Sequence, residues 1–182
     1  MKITSQEEYG LRCLLRLAIA QGATDPLGIR EIAEAEALSI PYVGKLLAVL
    51  RQAGLIESVR GRQGGYRLAA APTEISLGSV MMALGEPLFD EPNFCNKHTG
   101  TETTDGRCVH IGACTLRALW HTLEEWMRKA LDRITLADLL QSEGGLTELL
   151  RARLAEAVLE PSSSPFPVIS LTTTAPNKEE VV

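Results

Sequence analysis

The chain has 182 residues, 45% of them apolar, 23% charged and 4% aromatic, with a formal net charge of −5. That size and apolar share suit one compact core with appendages. The opening residues contain no apolar export segment, and the richest apolar run, Leu11 to Ala20, is broken by Arg12 and Arg16 and falls short of a roughly 20-residue span, so a soluble cytoplasmic chain is expected rather than an exported or membrane-bound one.

In chain order, the first expected helix runs from Ser5, as cap, to Gly22, with Glu7 and Glu8 in its first turn. Cys13 falls on its apolar side and reads as a buried structural thiol. A turn at Asp25-Pro26-Leu27-Gly28 precedes a short helix, Ile29 to Ala37. Ser39 then caps a third helix, Ile40 to Ala53, with Pro41 tolerated in its first turn, Val43, Leu46, Leu47 and Leu50 at core spacing, and Gly54 as its stop. Leu55 to Arg60 and Tyr66 to Leu68 read as two strands around the glycine-rich turn Gly61-Arg62-Gln63-Gly64-Gly65.

Three helices followed by a basic hairpin is the order of a winged helix-turn-helix. Between Ile40 and Leu68, Lys45, Arg51, Arg60, Arg62 and Arg67 face one acid, Glu57, so this window is strongly basic inside an acidic chain. In such a fold the third helix enters the major groove of double-stranded DNA by its N-terminal end, which makes Ser39, Tyr42, Gly44 and Lys45 the expected contacts. Arg60, Arg62 and Gln63 at the hairpin tip are placed for phosphates or a minor groove.

A short helix from Ser76 to Leu84 leads into a loop-like stretch, Gly85 to Gly112, carrying Cys95 and Cys108, with Cys114 just beyond it. Four cysteines in a chain without an export signal fit a reducing compartment, where clustered thiols hold metals or do redox work more often than they form disulfides. Thiolates are soft ligands for an iron-sulfur cluster or for zinc. Zinc completed by His98 or His110 would give a three-cysteine, one-histidine site, although the close ligand pair usual for zinc is missing. A thiol switch is the third reading. No nucleotide loop, flavin fingerprint or paired catalytic groups are present, which argues against an enzyme.

From Ala113 to Ile134 a longer helix is expected. Leu116, Leu119, Trp120, Leu123, Trp126 and Met127 recur on it at three- and four-residue intervals, a stripe suited to a two-fold dimer interface. A homodimer would set two recognition helices on successive half-sites of a two-fold symmetric operator.

These motifs together resemble the iron-sulfur cluster-binding winged helix-turn-helix regulators of the IscR and NsrR kind. The resemblance covers about residues 1–141. It rests on Met1-Lys2-Ile3-Thr4 with Tyr9 and Leu14-Leu15, on Ile32-Ala33-Glu34, and on Leu38-Ser39-Ile40-Pro41-Tyr42-Val43. Leu46-Leu47, Leu50, Gly54-Leu55-Ile56, the hairpin from Ser58 to Leu68, the cysteine segment and Ile134-Thr135-Leu136-Ala137-Asp138-Leu139 complete it.

The resemblance implies a homodimer with crossed long helices, a cluster near the partner's first helix, Cys95, Cys108 and Cys114 as its thiolates, a 2Fe-2S form favoured, and Tyr42, Lys45 and Arg60 in the DNA-reading region. Two departures stand out. The IscR-like pattern puts five residues in each cysteine gap and a histidine three after the last; here the first gap is twelve and Arg117 stands at that later position. Other members recruit a carboxylate from the partner's first helix, and Glu8 matches that place. Its competing use is an ion pair with Arg12, four residues on.

The expected fold is mainly α with a small β-hairpin wing, a winged helix-turn-helix plus a long dimerisation helix. Its expected divisions are a DNA-binding domain over 1–84, a cluster loop over 85–112, a dimerisation helix region over 113–142, an extra helix within 143–160, and a disordered tail over 161–182. The expected function is DNA-binding transcription regulation controlled by an iron-sulfur cluster, with a zinc-stabilised or cofactorless winged-helix repressor, with or without a thiol switch, as the alternative.

Overall fold

A computed structural model describes residues 3–20, 26–61, 64–86, 94–95, 108, 110 and 114–159. Arg62, Gln63 and His98, most of the 85–112 stretch and the tail 161–182 lie outside the described residues.

Helix α1 spans Ser5–Ala20. Its cap is Thr4 and not Ser5: the Glu7 backbone N–H donates to Thr4 Oγ1 at 3.2 Å while the Thr4 N–H donates to Glu7 Oε2 at 2.6 Å. This reciprocal box needs an acid three residues past the cap. Ser5 also has one, Glu8, but that carboxylate turns outward to Arg12. Helices α2, Ile29–Ala35, and α3, Ile40–Gln52, follow. Between them Ala37 adopts φ 54°, so α2 stops short of its expected end at that residue. After α3, Gly54 at φ 73° leaves the helix, and the Leu55 N–H returns to the Leu50 carbonyl at 3.0 Å.

Strands β1, Ile56–Val59, and β2, Gly65–Leu68, pair antiparallel with Ile56 opposite Leu68 and Glu57 opposite Arg67. Leu27 adds a bridge to this ribbon, exchanging backbone hydrogen bonds with Tyr66 at 2.8 and 3.0 Å. The ribbon can approach Leu27 so closely because Gly65 has no side chain; a Cβ there would overlap the Leu27 carbonyl.

One core gathers these elements. Cys13, Leu14 and Leu17 of α1, Ile32 of α2, Val43, Leu46, Leu47 and Leu50 of α3, and Ile56 and Leu68 of the hairpin are all buried. Helix α4, Leu77–Leu84, contributes Val80 and Leu84 and is capped by Ser76, whose hydroxyl accepts the Ser79 N–H at 3.1 Å. Each leucine buried in this way contributes about 1.5–3 kcal/mol of transfer free energy, so the winged-helix body rests on helix-spaced aliphatics and not on polar contacts.

Helix α5, Thr115–Asp132, rises from Cys114 at its N-cap. Its far end is tied back to the body by a backbone ladder: the Leu77 N–H donates to the Ile134 carbonyl at 2.7 Å and the Leu136 N–H to the Ile75 carbonyl at 2.8 Å. A 3-10 turn, Asp138–Leu140, follows, a feature without a signature in sequence periodicity. The C-terminal helix α6, Glu143–Leu159, is held there by Arg153, which donates to the Arg133 carbonyl and pairs with Asp138 at 3.3 Å. Among the described residues no helix is long and apolar enough to cross a membrane.

Candidate DNA interface and metal-ligating segment

Of the four residues expected to contact DNA from α3, Ser39 and Lys45 are exposed, whereas Tyr42 and Gly44 are half-buried. Ser39 is exposed at the N-cap and its hydroxyl makes no capping hydrogen bond, which leaves the oxygen available to an outside partner. Ile40, Pro41 and Lys45 are exposed beside it. Gly44 faces inward to α2: a Cβ there would lie 3.4 Å from Ile29 Cδ1, which is ordinary packing distance at the helix-turn-helix crossing. On the wing, Arg60 is exposed, while Arg67 is engaged by Glu57 directly across the ribbon. That pair is internally neutral, so the net basic character of the 40–68 window rests on Lys45, Arg51 and Arg60 among the described residues.

Tyr42 is half-buried and turns its ring onto α1. It meets Tyr9 edge to face, with centroids 6.0 Å apart and planes at 83°. Over the Tyr9 ring stands the Arg12 guanidinium, 5.5 Å from the centroid. Arg12 in turn holds Glu8, donating from Nε at 2.8 Å and pairing from Nη2 at 2.7 Å. The Glu8 carboxylate keeps the Arg12 guanidinium protonated to even higher pH than usual, first by the hydrogen bond and then by charge. Glu8, Arg12, Tyr9 and Tyr42 therefore form one continuous chain of contacts from the outer side of α1 to the recognition helix. Nothing in the spacing of Tyr9 and Tyr42, 33 residues apart, had pointed to this pairing.

Cys95, Cys108 and Cys114 are free thiols and all half-buried. Cys114 is the N-cap of α5, and its sulfur accepts the Arg117 N–H at 3.4 Å. The third cysteine thus joins the cysteine segment directly to the long helix, at the end where the helix dipole is positive and complements an anionic sulfur ligand. Among the described residues no three Cys, His, Asp or Glu side chains converge into a group able to hold a metal ion. The donor chemistry fits a soft metal centre nonetheless: three unpaired thiols, partly open to solvent, lie in one segment. Cys13 is different in kind. It is wholly buried, and burial, reinforced by the carboxylate of Glu36, pushes its thiol up to about 11, which agrees with a structural role.

On α5, Leu116, Leu119, Leu123 and Trp126 are exposed by 60, 47, 37 and 41%. Their spacing of three, four and three residues puts them along one side of the helix. Trp120 and Met127 are half-buried, and Ala130 is the buried residue that fastens α5 to the body.

A model of the Rrf2 family, described as iron-dependent transcriptional regulators, matches residues 3–142. Protein rrf2 of Nitratidesulfovibrio vulgaris is 36% identical over 141 residues, covering 78% of this chain and 88% of that protein. The HTH-type transcriptional regulator NsrR of Geobacillus kaustophilus is 37% identical over 153 residues, covering 84% and 99% respectively. Among solved structures, T. potens IscR matches with a TM-score of 0.57 at 33% identity, over 77% of this chain and 86% of that one.

Proposed function

The chain belongs to the Rrf2 family of DNA-binding transcriptional regulators, which are not enzymes, and from that premise we propose that it is a cytoplasmic homodimer whose operator affinity is set by an iron-sulfur cluster. Cys95, Cys108 and Cys114 would hold the cluster, 2Fe-2S being favoured, with Glu8 of the partner subunit as the fourth ligand. The observation that carries the reading is the double position of Cys114, as the last cysteine of the segment and as the cap of α5. When bound, such a cluster supplies a centre sensitive to oxidation, nitric oxide and iron supply.

The chain's own residues do the rest. The Leu116, Leu119, Leu123 and Trp126 stripe is the surface offered to a second copy, and covering it removes large apolar side chains from water. Ser39, Lys45 and Arg60 are exposed and would face the DNA, while half-buried Tyr42, its ring on Tyr9, would hold the recognition helix to α1; Arg62 and Gln63 are assigned to DNA contact by their sequence positions alone. Glu8 has a resident partner in Arg12. Any other ligand for Glu8 competes with that pair, and the Arg12 guanidinium so released lies on Tyr9, which touches Tyr42. Coupling free energies of about 1–3 kcal/mol, or some five- to 150-fold in affinity, are typical of such linkage.

The test is oxygen-free purification followed by visible absorption with iron, sulfide and zinc analysis, then operator titration of the loaded and stripped protein. Sulfide-linked absorption with about two irons per subunit, lost when all three cysteines are changed to serine, is expected. Colourless protein with stoichiometric zinc would replace this reading with a zinc-stabilised repressor, and protein with neither metal would replace it with a thiol switch.

A further inference from the structure

The cysteine segment begins in the sequence at Gly85, and the contacts at that point run to the first turns of α1 in the same protomer. Gln6 Nε2 donates to the Leu84 carbonyl at 2.7 Å. Leu84 is the last residue of α4, so its carbonyl has no partner within the helix and depends on an outside donor. Glu7 is only 9% exposed. One of its carboxylate oxygens accepts the Thr4 N–H, and the other lies so near Gly85 that a Cβ at that residue would overlap it. One turn further on, Gly10 packs on Leu84: a Cβ on Gly10 would come within 2.5 Å of Leu84 Cδ2. Three successive features of α1 therefore grip two residues, Leu84 and Gly85.

A buried carboxylate fixed by its own backbone hydrogen bond, and a glycine in close contact with a leucine, leave little room for sliding, because packed interiors shift as units rather than stretch. We propose that Gln6 and Glu7 are positioning residues that latch the stem of the cysteine segment to α1 within one protomer, so that the state of the segment sets the position of α1. Tyr9, on the same helix, carries that position to Tyr42 on α3. The latch rests on the sensor reading given above but differs from it in route: Glu8 would act on the other subunit, whereas Gln6 and Glu7 act on their own.

The test uses Gln6→Met, which keeps length and volume and removes the donor. Operator affinity is measured for the full chain with its cluster and after stripping, and the ratio of the two Kd values is compared with wild type. The latch predicts that this ratio contracts by about fivefold, the worth of one net hydrogen bond, with a smaller change in one of the two states. Where wild type itself shows a ratio different from one, a variant ratio equal to it, with both affinities shifted together or not at all, marks Gln6 as merely structural and overturns the proposal.

Amide hydrogen exchange on the stripped chain keeps the two readings separate. Gln6→Met must speed exchange in residues 4–10 and 80–86 together, whatever metal the protein binds, and acceleration on only one side, or on neither, overturns the latch. A wild-type ratio of one with coupled exchange would instead refute the sensor reading and leave the mechanical latch standing.

Discussion

The edge-to-face contact between Tyr9 and Tyr42 is the point at which α1 meets the recognition helix through side chains with a defined geometry. An aromatic pair in this arrangement adds about 0.5–1.5 kcal/mol beyond the area it buries. Replacing each ring by leucine, singly and together, removes the pair while leaving apolar volume in place. Arg12 also stands over Tyr9, but that contact is lost in both the Tyr9→Leu chain and the double mutant and so cancels in the cycle. Urea unfolding followed by far-ultraviolet circular dichroism should give an interaction energy of about 0.5–1.5 kcal/mol. In operator binding, Tyr9→Leu should weaken affinity by about two- to thirteenfold, the same energy expressed as a ratio, and should have no effect in a Tyr42→Leu background. Additivity within about 0.3 kcal/mol in stability, or a Tyr9→Leu binding defect that persists without Tyr42, would refute the claim that α1 positions α3 through these rings.

Cys13 gives a pH prediction. Its folded-state pKa is raised to about 11 from 9.0, chiefly by burial, so the folded chain holds the proton more tightly and the associated stability is complete below about pH 9. That stability, about 2–3 kcal/mol, is lost as pH rises through about 11; wild type should therefore fall relative to Cys13→Ala between these values in urea unfolding, and parallel curves would contradict it. Ala37 at φ 54° carries a left-handed conformation that costs an L-residue about 1–2 kcal/mol. After the extra unfolded-state entropy of glycine, Ala37→Gly should raise stability by about 0.5–1 kcal/mol, and a loss would show that the turn is relaxed. Asp138 accepts from the Thr135 N–H at 2.8 Å and its hydroxyl at 2.9 Å while pairing with Arg153. Asp138→Ala should cost about 1–3 kcal/mol and accelerate amide exchange throughout residues 143–159, whereas unchanged exchange would mean that α6 is held by its apolar contacts alone.

The helices of the winged-helix body were legible because their signals are local. Val43, Leu46, Leu47 and Leu50 recur at the helical period, Gly54 supplies the left-handed exit, and the wing turn is written in glycines. The boundaries shifted by a residue or two wherever a cap could be formed in more than one way, as at Thr4 and Ser5. The 3-10 turn at Asp138 leaves no trace in sequence periodicity because its cause is a side chain folding back on Thr135. Among the candidate site residues, exposure of Lys45 and Arg60 followed from their charge, but the inward turn of Gly44 toward Ile29 depended on how α2 crosses α3.

Two adjacent carboxylates show the division most clearly. Residue type and position alone marked Glu7 and Glu8 as equivalent first-turn acids, since both complement the positive end of α1. Folding separated them: Glu7 is buried beneath Gly85 as part of the grip on the cysteine segment, and Glu8 faces outward to Arg12. The spacing of apolar residues, caps and glycines acts through neighbours a few residues apart and so can be read along the chain. The joining of Gln6 to Leu84, of Tyr9 to Tyr42 and of Asp138 to Arg153 depends on which surfaces the shared core presses together, and that is decided only when the apolar faces of all the helices leave water at once.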